Sequence, residues 1–277
     1  MLGIAARTLG CISVIALAMA EAPVARAAAN CVLDQGATIV VPANPNNPRD
    51  TVKHAYKLAD GSIAFLGSLE VDVDGAPKAY GPNNSGLDDL RNAGSPGKWF
   101  GVATDAPRCG PEGNPLVQSA DDPAPGFYVS TTSVTNPAVH DCRKQRNFVD
   151  ASSVPYVALP PALATIDRSR DANGRGNLVA IKPLKSSKSA LAFQADQAPR
   201  YGIGEGSLAL VRKLGLNPDP RRGGTSAREF VYLILAARMG FPKTADDVEH
   251  AAGAAFAEWG GTPRLEACQK ALLSAPR

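Results

Sequence analysis

Histidine is scarce in this 277-residue chain. Only His54, His140 and His250 occur, none at ligand spacing from a cysteine and none beside an apparent nucleophile. Neither a Cys-x-x-Cys pair nor a Gly-x-Ser-x-Gly element is present. These absences set aside a zinc site of the usual spacing and a serine hydrolase of the nucleophile-elbow type. Charge of one sign is lacking too: 29 basic against 26 acidic residues leave a formal net charge of +3, spread along the chain, which is no footprint for nucleic acid. Beyond the amino-terminal region no segment approaches the roughly 20 consecutive apolar residues that a membrane span requires. The run Gly202-Ile203-Gly204-Glu205-Gly206-Ser207 imitates a dinucleotide fingerprint, but serine stands where its last glycine belongs and no phosphate-binding lysine follows. No metal and no organic cofactor is expected.

What the chain does have begins at its amino terminus. Arg7 precedes an apolar run from Cys11 to Met19, and two small-x-small sites follow, Ala18-Met19-Ala20 and Ala25-Arg26-Ala27. This is the layout of a secretory signal peptide. Glu21 and Arg26 interrupt the run too early for a retained transmembrane helix. Residues 1–27 are read as the signal and 28–277 as a single domain, secreted to the periplasm or the medium and expected to act as a monomer away from the membrane. Cys31, Cys109, Cys142 and Cys268 remain, an even number in an oxidising destination. Four cysteines allow three connectivities; a local Cys109–Cys142 staple with Cys31–Cys268 joining the ends is the favoured one.

The 26 glycines and 23 prolines punctuate short apolar segments. Strands are predicted at 62–66, 69–73, 98–103, 126–130, 154–159, 178–181 and 191–195. Helices are predicted from Ser207 to a stop at Gly215, and after Thr244, where Val248, Ala251, Ala252, Ala255, Phe256 and Trp259 recur at helical spacing. The fold class is therefore mainly β (α+β): a small β-barrel with decorating loops and helices near the carboxyl end.

Two acidic groups carry the candidate chemistry. Asp196 ends a strand-like run, and Glu205 follows among Gly202, Gly204 and Gly206. Two carboxyl groups brought to one cleft suit glycosidic cleavage, one protonated for the leaving oxygen and the other ionised to act on water or carbon. In Glu70-Val71-Asp72-Val73-Asp74, alternation places the three acids on one strand face, where mutual repulsion raises at least one pKa or calls for a cationic neighbour. Tyr80, Tyr128, Tyr156, Trp99 and Trp259 are candidate sugar-stacking rings, although aromatics in strands are more often core.

In that setting the chain resembles family 75 of the glycoside hydrolases, the fungal-type chitosanases and their bacterial relatives. The resemblance is carried by Asp72-Val73-Asp74-Gly75-Ala76 with Tyr80-Gly81-Pro82, then Asp122 to Thr132, Tyr156 to Pro160, and Asp196 to Ser207. It implies an endo-acting, inverting hydrolase of the β-1,4 bonds of chitosan or a related amino-sugar polymer, on a small barrel for which the double-psi type is one candidate. Asp196 and Glu205 map onto its essential pair, with Glu205 taken as general acid and Asp196 as general base. Asp72 and Asp74 map onto its early acidic block and are read as holding substrate ammonium groups or assisting the catalytic pair, and Tyr80 and Tyr128 as substrate contacts. One departure is Gln197-Ala198-Pro199 in place of the family's glycine-proline. A second is the three lysines of 182–188, which would oppose a cationic polymer if they stood beside the cleft. A non-catalytic polysaccharide-binding envelope protein and a peptidoglycan-directed hydrolase are the alternatives.

Overall fold

The residues from Phe230 to Leu235 form an apolar run with no polar interruption. Such a run can sit in a strand only if both of its faces are covered. The computed structural model, which describes residues 30–163, 166 and 173–275, places it in the middle of a 15-residue strand. The expected signal, residues 1–27, lies outside the described residues.

The strands are β1 (Thr38–Val41), β2 (Lys53–Lys57), β3 (Ile63–Asp72), β4 (Gly94–Ser95), β5 (Lys98–Trp99), β6 (Tyr156–Leu159), β7 (Gly176–Pro183), β8 (Ala190–Gln197), β9 (Glu205–Ser207) and β10 (Thr225–Met239). The helices are α1 (Leu208–Lys213), α2 (Ala245–Trp259) and α3 (Gly261–Ser274). Around the sheet the order is β3-β10-β7-β8-β6-β9, and β9 pairs back onto β3. Six strands thus close into a barrel, with β1 and β2 extending beyond β3. The β8/β6 and β9/β3 seams are parallel, whereas the other four are antiparallel. The mainly β barrel with few helices is the class expected from the sequence.

Strand alternation divides the apolar side chains into two sets. Phe65, Leu69, Val157, Val179, Ile181 and Tyr232 form one cluster with Leu210 and Val211 of α1. We place this set inside the barrel, where Phe65 and Tyr232 stack at 4.8 Å between ring centroids. Ala64, Leu178, Ala180, Phe193, Val231 and Leu233 point the other way, in a cluster shared with Val248, Ala252 and Phe256 of α2 and Leu265 and Leu272 of α3. The central strands are therefore covered on both faces, which is why β10 shows no period of two.

Both helix starts read from the sequence are present. Ser207 caps α1 by accepting from the Leu210 N–H, and Thr244 opens α2 with a reciprocal capping box to Asp247. Both disulfides have the favoured pairing, Cys31–Cys268 and Cys109–Cys142. No helix among the described residues is long and apolar enough to cross a membrane. The expected strands at 62–66 and 69–73 are one continuous strand, β3. Two other expectations are corrected. Of 98–103 only Lys98–Trp99 is a strand, and 126–130 contributes only the lone bridges Val117↔Tyr128 and Val102↔Ser130. Both lie in the long connection from β3 to β6, whose backbone is satisfied largely by turns and side chains.

Candidate active site

Asp196 and Glu205 come from different strands and meet through a third. In the parallel β6/β8 pair Ala158 lies opposite Asp196, and in the antiparallel β6/β9 pair the same Ala158 lies opposite Glu205. Residues opposite one another in a ladder face the same side, so both carboxyl groups flank the small Ala158 side chain. Two strand spacings put their Cα atoms about 10 Å apart. They share one wall of the cleft.

A one-residue bulge makes this possible. The β6/β8 register passes from Val157↔Gln194 to Ala158↔Asp196, so Ala195 is an extra residue in β8. Without it, alternation would turn Asp196 to the side opposite Glu205. The irregular connection secures the bulge: the Val134 N–H donates to the Ala195 carbonyl at 2.9 Å. Its neighbour Ser133 donates to Asp196 Oδ1 through Oγ at 2.6 Å and through its N–H at 3.1 Å. The Gln197 N–H adds a third donor to that oxygen at 2.7 Å. Three donors thus converge on one oxygen of the Asp196 carboxyl group and fix its orientation.

Glu205 is positioned by glycines. At Gly204 φ is +113°, and a Cβ there would fall 2.0 Å from the Ser68 carbonyl oxygen. Only glycine lets β9 close onto β3, where the Glu70 N–H donates to the Gly204 carbonyl at 2.9 Å. Two residues beyond Glu205, the buried Ser207 hydroxyl donates to the Val154 carbonyl and accepts from the Tyr156 and Leu210 N–H groups. One donor and two acceptors exhaust a hydroxyl.

The cleft is a cavity of about 810 Å³ between this wall and the β3–β6 connection, bordered by Glu70, Asp72, Asp74, Asp88, Asp196 and Glu205, with Arg91 at its edge. Glu70 lies opposite Glu205 in the β3/β9 ladder. Burial, then the negative charges of Asp72, Glu70 and Asp196, push Glu205 up to about 8. Burial and the Asp196 charge raise Asp72 to about 7 against hydrogen bonds from the Asp74 N–H and Tyr156. Asp74 is raised well above the ordinary carboxyl range by burial and then by Asp72 and Asp196, although Tyr80 donates to its Oδ1 at 2.7 Å. Glu70 is raised as well, burial being the first cause and the Asp50 charge the second. In consequence the cleft holds protons at neutral pH on some carboxyl groups and negative charge on others. Among the described residues no group of three or more His, Cys, Asp or Glu side chains is arranged to hold a metal ion.

Asp72, Asp74 and Tyr80 all line this cavity with the Asp196–Glu205 pair, whereas Tyr128 does not. Its N–H donates to the Tyr80 carbonyl at 2.9 Å, and its own carbonyl accepts from Gln118, so it braces the loop behind the cleft. Trp99, Tyr156 and Trp259 are buried. The ring offered to solvent at the cavity is Phe100, 69% exposed. Its backbone is pinned by bonds from its N–H to the Ala93 carbonyl and from Thr131 Oγ1 to its own carbonyl. The sequence carries a hint, since Trp99 and Phe100 are adjacent and an extended chain sends neighbours to opposite sides.

The lysines of 182–188 are not at the cleft. Lys182 is buried against Gln269, and Lys185 lies 4.0 Å from Glu229. Basic residues enter instead at an adjoining cavity of about 550 Å³, bordered by Arg49, Lys53 and Arg228, which shares Glu70, Glu205 and Ser226 with the acidic one.

No protein-family model and no curated protein matches the chain. The likeness to family 75 of the glycoside hydrolases therefore rests on the residues quoted above.

Proposed function

We propose that the protein is an exported, inverting glycoside hydrolase acting on the β-1,4 bonds of chitosan or a related amino-sugar polymer. The observation that carries this reading is the placement of Asp196 and Glu205 on either side of Ala158, facing one cleft from two strand spacings apart. From that backbone separation the side chains can reach the window of about 6.5–9.5 Å between carboxyl groups in which an inverting enzyme seats its water. Their surroundings suit opposite roles. Glu205, raised to about 8, keeps its proton at neutral pH and can give it to the leaving glycosidic oxygen. Asp196, bonded by three donors on Oδ1, can take a proton from the water that attacks the anomeric carbon from the opposite face of the sugar. One bond breaks, one forms, and the configuration inverts.

Asp72 and Asp74 would hold amino groups of the substrate, and Phe100 would stack against a sugar ring. The two disulfides support work in an oxidising compartment outside the cytoplasm.

The test is release of reducing ends from chitosan, chitin and peptidoglycan, with products resolved by chromatography and their anomeric form followed by NMR. Glu205→Gln and Asp196→Asn should each lower turnover by about 10²-fold or more, with unchanged circular dichroism. Rates should fall as pH rises past about 8, where Glu205 loses its proton. Full turnover in either variant, or retention of anomeric configuration, would remove the assignment.

A further inference from the structure

Beyond Glu205 the lining of the cleft turns from acidic to mixed. On one side stand Asp72, Asp74, Asp88 and Asp196; on the other stand Arg49, Lys53 and Arg228 beside Asp50, with Glu70 and Glu205 common to both. The three cations are not equivalent. Lys53 is buried, ion-paired with Asp50, and donates to the Tyr201 carbonyl at 3.0 Å, so its charge is largely answered within the protein. Arg49 and Arg228 are exposed, and neither is ion-paired among the described residues. Arg228 bonds only Thr51, a neutral partner, through its carbonyl and hydroxyl oxygens. Two guanidinium groups without acidic partners thus border a cavity large enough for a sugar ring, directly beside the proposed general acid. A guanidinium presents paired N–H donors that match a carboxylate in bidentate fashion. A polymer bearing ammonium groups on every sugar would meet repulsion there.

Resting on the glycosidase reading, we infer that the basic cavity is the subsite for a carboxylate-bearing sugar, so that the substrate is an amino-sugar chain carrying carboxylates on alternate residues. Such a chain places a neutral or cationic amino sugar against the acidic side and an anionic one against Arg49 and Arg228.

Binding tests this without requiring turnover. Glu205→Gln protein would be titrated calorimetrically with an oligosaccharide of alternating N-acetylglucosamine and N-acetylmuramic acid, and with the same oligosaccharide after reduction of its carboxylates to alcohols. The carboxylated form should bind at least about tenfold tighter, by an advantage that shrinks as salt is added. Adding Arg228→Gln or Arg49→Gln should reduce that ratio, and Arg228→Lys should preserve part of it. Equal affinity for the two oligosaccharides, or a ratio indifferent to both arginine substitutions, would overturn the inference. Carboxylate-selective binding with no cleavage of any polymer by the unmodified protein would instead overturn the glycosidase reading alone.

Discussion

The barrel and the connection from β3 to β6 are built on different principles, although they enclose one cleft. In the barrel, strand ladders satisfy the backbone and apolar side chains fill both faces. In the connection few ladders exist, and buried polar side chains take their place. Gln145 accepts from the Ser130 N–H and donates to the carbonyls of Gly75 and Ser130. Gln118 repeats the pattern, accepting from the Ala124 N–H and donating to the carbonyls of Pro77 and Tyr128. Each glutamine thus satisfies three backbone groups that a neighbouring strand would otherwise have met. The Cys109–Cys142 bond closes the same segment. Irregular backbone is stable inside a protein when side chains complete its hydrogen bonding, and it then leaves groups such as Ser133 and Phe100 in positions that a regular strand would not give them.

The largest effect that could break this contrast is in the barrel. Phe65→Ala removes a fully buried ring stacked on Tyr232 and should cost about 3–5 kcal/mol in urea unfolding, with hydrogen-exchange protection lost throughout the molecule. Gln145→Leu leaves three backbone groups unmet and should cost about 2–3 kcal/mol. Protection should then fall at Gly75 and Ser130 while β7 and β10 amides keep theirs. Equal loss in both regions would mean that they unfold as one unit and that the contrast is one of construction alone.

A pH-dependent effect sharpens the contrast at the seam between the two regions. Glu205 keeps its proton in the folded state up to about pH 8 against an ordinary value of 4.5. The native protein therefore binds more protons than the unfolded chain across that window, and stability falls as pH rises through it. Glu205→Gln lacks this dependence, so it should melt above the parent at pH 8, and the difference should close near about pH 4. A constant difference across the window would show that its carboxyl is not held protonated. Smallest in stability is Phe100→Ala, within about 0.5 kcal/mol because the ring is exposed. Its effect should instead be a several-fold rise in KM with little change in kcat; a change in kcat alone would remove the stacking role.

The same division governed what could be read from the sequence. β6 to β8, the helix starts at Ser207 and after Thr244 and the disulfide pairing were legible because each depends on local chemistry or on few choices. β10 was not, since its two covered faces erase the alternation that marks a strand. Helix α3 starts after Gly260, an N-cap with no side-chain hydrogen bond to offer, so it carries no start signal. Asp196 and Glu205 were singled out as two acids framing a Gly-rich segment and then matched to the family's pair, yet their common facing depends on Ala195, an ordinary residue in an alternating run. No sequence signal marks it as surplus, because a bulge is defined by the partner strand. Tyr80 lines the cavity as proposed, but its hydroxyl is engaged with Asp74, and the solvent-facing ring is one residue along from a candidate that is buried.

The Cys31–Cys268 bond, whose Cα atoms lie 4.8 Å apart, turns everything between those residues into a ring. A protease that clips one surface loop would open the ring without releasing a fragment. The severed ends would stay tethered at high local concentration, held by the unbroken remainder of the fold. Such a nick should be silent in activity and in native gels, appearing only once the sample is both denatured and reduced.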